Sequence, residues 1–139
     1  MGKNTGSFSG GTSRHVRNNR ADGARYEDAA VRYLKEKGYQ IVERNYQNRC
    51  GEIDIIALDG EALVFLEIKF RKSARCGSPL EAVDSRKQER ICRTAMGYFA
   101  QYGYYGDGAC RFDVLGIDGT GLVTHVRNAF EFTGQSSVY

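Results

Sequence analysis

Glu52, Asp54, Glu67 and Lys69 put three carboxylates and an amine on either side of Asp59-Gly60, within the run GEIDIIALDGEALVFLEIKFR at residues 51–71. Asp-Gly between two apolar runs is a strong signal for a two-residue hairpin turn. Residues 52–58 and 61–70 therefore read as paired antiparallel strands. With Asp59 and Gly60 as the loop, Leu58 faces Glu61, Ile56 faces Leu63, Asp54 faces Phe65 and Glu52 faces Glu67. Facing residues share a side of the sheet, as do residues two apart on one strand. One side then carries Glu52, Asp54, Glu67 and Lys69 with Ile56, Leu58, Leu63 and Phe65. The other carries Ile53, Ile55, Ala57, Ala62, Val64, Leu66, Ile68 and Phe70, is wholly apolar, and must be core. A three-residue loop would separate Asp54 from Glu67.

Buried charge is costly unless it is paired or bound to a metal. Two carboxylates roughly 5 Å apart repel by about 3 kcal/mol at an effective dielectric near 20, which is about two pKa units. A divalent cation removes that repulsion. Mg²⁺ (or Mn²⁺) takes oxygen ligands and usually one or two carboxylates with water and phosphate. Asp54 and Glu67 can supply the carboxylates, and the carbonyl of Ile68 a further oxygen. Lys69 would hold a metal-activated water or stabilise charge developing on phosphorus. That is the composition of a metal-dependent phosphodiester-cleaving site. The same cluster also reads as a salt-bridged strand pair, with Lys69 neutralising Glu67.

Helices must frame this hairpin. From residue 19 to 37 Ala30, Val31 and Leu34 share a helical face, and Gly38 follows as a C-cap. Glu27 lies on that apolar stripe, so it either pairs with a cation such as a nearby arginine or reaches the carboxylate cluster as a further ligand. Residues 39–48 read as a strand. A second helix spans residues 85–102, with Ser85 and Gln88 at capping-box spacing and Ile91, Ala95 and either Tyr98 or Phe99 as its apolar stripe. Strands follow at residues 110–117 and 122–126. The order αβββαββ is that of one α/β sandwich, a mixed β-sheet with flanking helices. Tyr98, Tyr102, Tyr104 and Tyr105 read first as core or loop packing and second as an interface.

The 139 residues suffice for one domain. Residues 1–18 read as a disordered basic tail, 19–132 as the folded domain and 133–139 as a polar tail. Residues 1–21 hold Lys3, Arg14, Arg17 and Arg20 and no acid, leaving the rest at 16 basic and 17 acidic residues, near neutrality. A nucleic-acid face must then arise by clustering. Arg71, Lys72 and Arg75 crowd the loop after Lys69. Arg86, Arg90 and Arg93 line one face of the second helix, with Lys87 beside them. Either group would hold a phosphate backbone. Four cysteines without a C-x-x-C pair argue against structural zinc and suit a reducing compartment. His15 and His125 stand alone, which disfavours histidine catalysis. No apolar run approaches a membrane span and no signal segment opens the chain. The cytoplasm is the expected location.

Asp54, twelve residues, then Glu67-Ile68-Lys69 resembles the PD-(D/E)XK nuclease signature. Over about residues 23–131 the chain resembles the YraN-like family of predicted endonucleases. The matching stretches are Tyr26-Glu27-Asp28-Ala29-Ala30, Glu43-Arg44-Asn45-Tyr46, Gly51-Glu52-Ile53-Asp54, Leu63-Val64-Phe65-Leu66-Glu67-Ile68-Lys69, Glu81-Ala82-Val83-Asp84, Arg111-Phe112-Asp113-Val114 and Asn128-Ala129-Phe130. The resemblance implies a restriction-endonuclease-like fold, with Asp54 and Glu67 on metal and Lys69 catalytic. It places Glu27 where similar Holliday-junction resolvases carry a helix glutamate. The chain departs from the signature at Gly-Glu-Ile-Asp, which replaces Pro-Asp, and at Phe70.

The expected function is a Mg²⁺- or Mn²⁺-dependent endonuclease acting on nucleic acid, DNA before RNA, branched or otherwise structured. A resolvase-like role would want a two-fold homodimer. The alternatives are a catalytically idle nucleic-acid-binding or partner-docking module on the same scaffold, and a structural ion-pair network in a protein-interaction domain.

Overall fold

Each apolar stripe found in the sequence needs a partner, and the sheet supplies both. The computed structural model describes residues 10–72, 77–103 and 109–132, with side chains from residue 23 onward. Its elements are α1 (Gly10–Glu36), β1 (Gln40–Asn48), β2 (Gly51–Asp59), β3 (Ala62–Arg71), a 3-10 turn (Pro79–Ala82), α2 (Ser85–Tyr102), β4 (Cys110–Asp118) and β5 (Val123–Phe130). The order is the expected αβββαββ. The 3-10 turn, opened by Ser78 and Pro79, was not foreseen. Helix α1 starts earlier than residue 19, and residues 1–9 and 133–139 lie outside the described residues.

The five strands lie in sequence order, and β3 and β4 are the parallel pair. A parallel pair needs a long crossover, and the 3-10 turn and α2 provide it. Ala30, Val31 and Leu34 of α1 are buried against Ile55, Ala57, Val64, Leu66, Leu115 and Ile117 on one face of the sheet. Ile91, Cys92, Ala95, Tyr98 and Phe99 of α2 pack on Ile56, Leu63, Phe65, Phe112 and Val114 on the other. Gly38 ends α1 with φ 94°, and Tyr39 N–H reaches back to Leu34 O at 2.9 Å. That is the glycine C-cap read from the sequence. Tyr98 is core, whereas Tyr102 is about half exposed; Tyr104 and Tyr105 lie outside the described residues.

The hairpin register corrects the expectation. Asp59 faces Ala62 and Leu58 faces Leu63, so the loop is Gly60-Glu61, not Asp59-Gly60. Gly60 takes the first loop position with φ 65°, the place a glycine-first hairpin turn wants it. Asp59 stays in the strand because Arg111 and Arg127 bind its Oδ2 at 3.0 and 3.1 Å. The slide is two residues, so most side chains keep their faces. Two do not behave as the alternation predicts. Ile53 packs with Tyr46 and Ile56 on the α2 face, away from Ile55. Phe70, expected in the core, is 49% exposed. Both changes flank the end of the hairpin where Asp54 interrupts the ladder.

The capping box also moves. Asp84, not Ser85, caps α2, with Oδ1 accepting Lys87 N–H at 2.9 Å. Gln88 turns its amide to Val83 O at 2.9 Å instead of closing a box.

Candidate active site

The regular β2–β3 pairing runs from Asp59/Ala62 to Ile55/Leu66. One step further the count sets Asp54 level with Glu67. There the Asp54 side chain replaces the ladder: its Oδ2 accepts Ile68 N–H at 2.7 Å. On the other flank, Arg44/Ile55 and Tyr46/Ile53 bracket Asn45 opposite Asp54. Asn45 has φ 55°, a left-handed conformation asparagine tolerates better than most residues. The ladder break and the left-handed residue together reorient the strand end, which accounts for Ile53 changing faces.

Asp54 opens into a cavity of about 320 Å³ that it shares with Glu27, Asn45, Ile68, Tyr26 and Phe70. Of the two readings left open for Glu27, the arginine pairing is present. Arg44 Nε binds its Oε2 at 2.8 Å, Asn45 Nδ2 binds the same oxygen at 2.9 Å, and the side chain borders the cavity of Asp54. Arg44 also spans to Asp28 at 2.7 Å, so a β1 arginine fixes the angle at which α1 presents Glu27.

Glu67 is only 7% exposed. Its Oε2 is met by Lys87 Nζ at 3.2 Å and Lys69 Nζ at 3.4 Å. Lys69 was expected here. Lys87, read from sequence as a backbone-binding residue, is brought to the same carboxylate by the Asp84 cap at the start of α2. The expected single charged face is therefore corrected. Asp54 shares a cavity with Glu27 of α1, and Glu67 is held by a lysine of α2. Glu52 is exposed and takes Gln47 Nε2 at 2.9 Å. Among the described residues no three His, Cys, Asp or Glu side chains form a ready-made metal cage.

The electrostatics still concentrate on Asp54. Burial, then the charge of Glu67, push its pKa from 3.8 up to about 7, against the pull of the Ile68 N–H. A carboxylate poised there is short of positive charge. That fits a divalent cation, which would be held by Asp54 and Glu67, with the Ile68 carbonyl beside them because a strand residue's N–H and C=O point to one edge.

The basic residues separate. Arg71 does not face this cavity: its Nη2 donates to Gly77 O at 3.0 Å, and its side chain lies along Gly116 and Pro79. A Cβ at Gly116 would stand 2.6 Å from Pro79 Cγ, so glycine is required where this arginine and the 3-10 turn close on the sheet. Lys72, Arg86, Arg90 and Arg93 are exposed. Arg90 and Lys87 border a second cavity, of about 410 Å³, with Gln47 and Glu52. Arg75 lies outside the described residues.

A polar network at Asp113 escaped sequence reasoning. Asp113, 1% exposed, accepts from Arg111 Nε at 3.0 Å and Asn128 N–H at 2.9 Å and meets His125 Nε2 at 2.7 Å. His125 Nδ1 lies 2.9 Å from Tyr33 Oη, so the histidine that seemed isolated joins α1 to β4. As at Asp54, an aspartate fills a ladder irregularity beside a left-handed asparagine, Asn128 with φ 52°. Neither Asn45 nor Asn128 carries a local signal that separates it from an ordinary strand asparagine.

A family model described as Uncharacterised protein family UPF0102 matches residues 26–117. A UPF0102 protein of Chlorobium chlorochromatii is 44% identical over 117 residues, covering 78% of this chain and 89% of its own. One from Rhodococcus jostii is 46% identical over 116 residues, covering 81% and 98%. One from Marinobacter nauticus is 46% identical over 95 residues, covering 68% and 76%.

Proposed function

The chain belongs to the uncharacterised protein family UPF0102, and from the geometry above we propose that it is a metal-dependent endonuclease of the PD-(D/E)XK type, cutting DNA before RNA. The observation that carries this reading is Asp54: a largely buried carboxylate beside Glu67, its pKa raised to about 7 and its Oδ2 on Ile68 N–H. A structural ion pair would hold such a group at low pKa. A Mg²⁺ or Mn²⁺ ion would supply Lewis acidity at phosphorus and a more acidic bound water. Asp54 and Glu67 would hold the ion. Lys69 shares Glu67 with Lys87, so it can turn its ammonium to the attacked phosphate while Lys87 keeps the Glu67 carboxylate in place. Glu27, fixed by Arg44, positions water or metal from the α1 side. The exposed Arg86, Arg90 and Arg93 face would meet the backbone of the substrate. Cutting both strands of a junction would require two copies arranged about a two-fold axis.

The test is cleavage of labelled linear, flapped and four-way-junction DNA, with RNA as control, in Mg²⁺ and in Mn²⁺. Lys69→Ala is expected to slow cleavage by about 10²-fold or more with an unchanged circular-dichroism spectrum. Cleavage that survives Lys69→Ala sinks the reading.

One observation favours the idle binding module instead. Two lysines already neutralise Glu67, which leaves less unbalanced charge there for a metal. Salt-sensitive DNA binding without cleavage, indifferent to Asp54→Asn, would decide for that module.

A further inference from the structure

Phe70 is the apolar side chain that the sheet pattern assigned to the core and the fold leaves outside it. Its ring is stacked on Tyr26 of α1, with centroids 4.7 Å apart and planes at 17°. Arg25 lies 6.0 Å above the Tyr26 ring. Phe70, 49% exposed, leaves part of its ring open to the outside. Tyr26 and Phe70 both line the cavity that holds Asp54 and Glu27. Phe70 is two residues past Ile68, whose N–H holds Asp54, which is about 7 Å along a strand. That is the scale of the step from a phosphate to a neighbouring base.

Burying an aromatic in the core is the usual outcome for such a position. An exposed one, flat against a second ring and next to an arginine, suits a planar, electron-rich partner attached to negative charge. An unpaired nucleobase has that chemistry. Bases without a duplex partner stack on aromatic rings in a sequence-tolerant way, and arginine adds a cation–π contribution. A paired base keeps its own neighbours and has no free face to offer. At about 320 Å³ the cavity falls at the small end of ligand sites, room for a single base and not for a duplex.

We propose that the Tyr26–Phe70 pair is a stacking platform for an unpaired base adjoining the cleaved phosphate, so that the enzyme selects DNA with a single-stranded, flapped or distorted segment at the cut. This rests on the nuclease reading and names the substrate class for the same site. Tyr26 sets the ring plane and Phe70 receives the base.

The experiment reads binding, so it does not depend on turnover. Two oligonucleotides carry the fluorescent base 2-aminopurine, one in an unpaired flap next to a duplex and one within a full duplex. Each is titrated with protein in Ca²⁺. The wild type is expected to bind the flap more tightly and to quench its fluorescence by stacking. Phe70→Ala should weaken flap binding about tenfold, at the lower end for loss of one base–aromatic stack, abolish the quench, and leave duplex binding within about twofold. Phe70→Leu, which keeps the apolar contact with Tyr26 but has no π face, should behave as Phe70→Ala, and Phe70→Trp should restore the quench. Melting temperatures of the variants guard against misfolding. Wild-type affinity and quenching in both Phe70→Ala and Phe70→Leu would overturn the platform while the nuclease reading stands. A wild type that binds neither oligonucleotide overturns both.

Discussion

Asp54→Asn is expected to abolish cleavage, by about 10³-fold, and at the same time to make the metal-free protein more stable at pH 8. The two effects have one cause. The folded pKa of Asp54 is about 7 against an ordinary 3.8, so the folded protein binds a proton more tightly than the unfolded chain does. Its contribution is fully present below pH 3.8, and stability falls as pH rises through about 7. The loss is on the order of 4 kcal/mol between these limits, at 1.36 kcal/mol per pKa unit. Asparagine keeps an oxygen for Ile68 N–H and carries no charge, so the variant should lose this pH dependence. Urea unfolding of metal-free wild type and Asp54→Asn at pH 5 and pH 8 reads it directly. A variant no more stable than wild type at pH 8 would show that Asp54 is already compensated within the protein. Metal binding requires the ionised carboxylate, so Mg²⁺ should bind more tightly as pH rises through 7 and should release protons. Calorimetry in two buffers of different ionisation heat measures that release, and Asp54→Asn should remove it.

Asp113→Ala should destabilise the fold by about 3–5 kcal/mol, the usual cost of breaking a buried, hydrogen-bonded ion pair from one side. The alanine would leave Arg111 short of one partner, Asn128 N–H without an acceptor and His125 without its orienting carboxylate. Burial would raise the Asp113 pKa, but the bonds from His125, Arg111 and the Asn128 N–H outweigh it and hold the carboxyl below its ordinary 3.8. A depressed carboxylate stabilises the fold above its unfolded pKa and loses that contribution as pH falls through the folded one. Wild type should therefore weaken below about pH 4 more steeply than Asp113→Ala. The network lies on the sheet with its own partners, apart from the cavity of Asp54, so DNA binding by the surviving folded fraction should be unchanged. A loss of less than about 1 kcal/mol in urea unfolding would mean that the network is not what closes α1 onto β4.

No helix among the described residues is long and apolar enough to cross a membrane, in keeping with the short apolar runs of the sequence.

The elements were legible because they rest on local periodicity. Ala30, Val31 and Leu34 recur at helical spacing, the runs flanking Gly60 alternate, and Gly38 and Gly103 stop the two helices at φ 94° and 82°. The αβββαββ order and the family follow from such patterns and from residue identity along the chain. Asp54, Glu67 and Lys69 were legible as a charge cluster because any pairing of even offset holds them near one another. What needed the tertiary structure was everything set by a partner distant in sequence. Arg111 and Arg127 keep Asp59 in its strand and so slide the hairpin by two residues. Asp84 caps α2 and thereby carries Lys87 to Glu67. Arg44 takes up Glu27. Asn45 turns left-handed opposite Asp54 of β2, and Asn128 does so within a β5 bulge opposite Asp113 of β4. Phe70 obeys the alternation that marks it as core, but it lies near the end of β3, where Tyr26 of α1 stacks on its ring and 49% of the residue stays exposed. Local pattern states which residues want burial; the three-dimensional arrangement decides which of them find enough neighbours to obtain it.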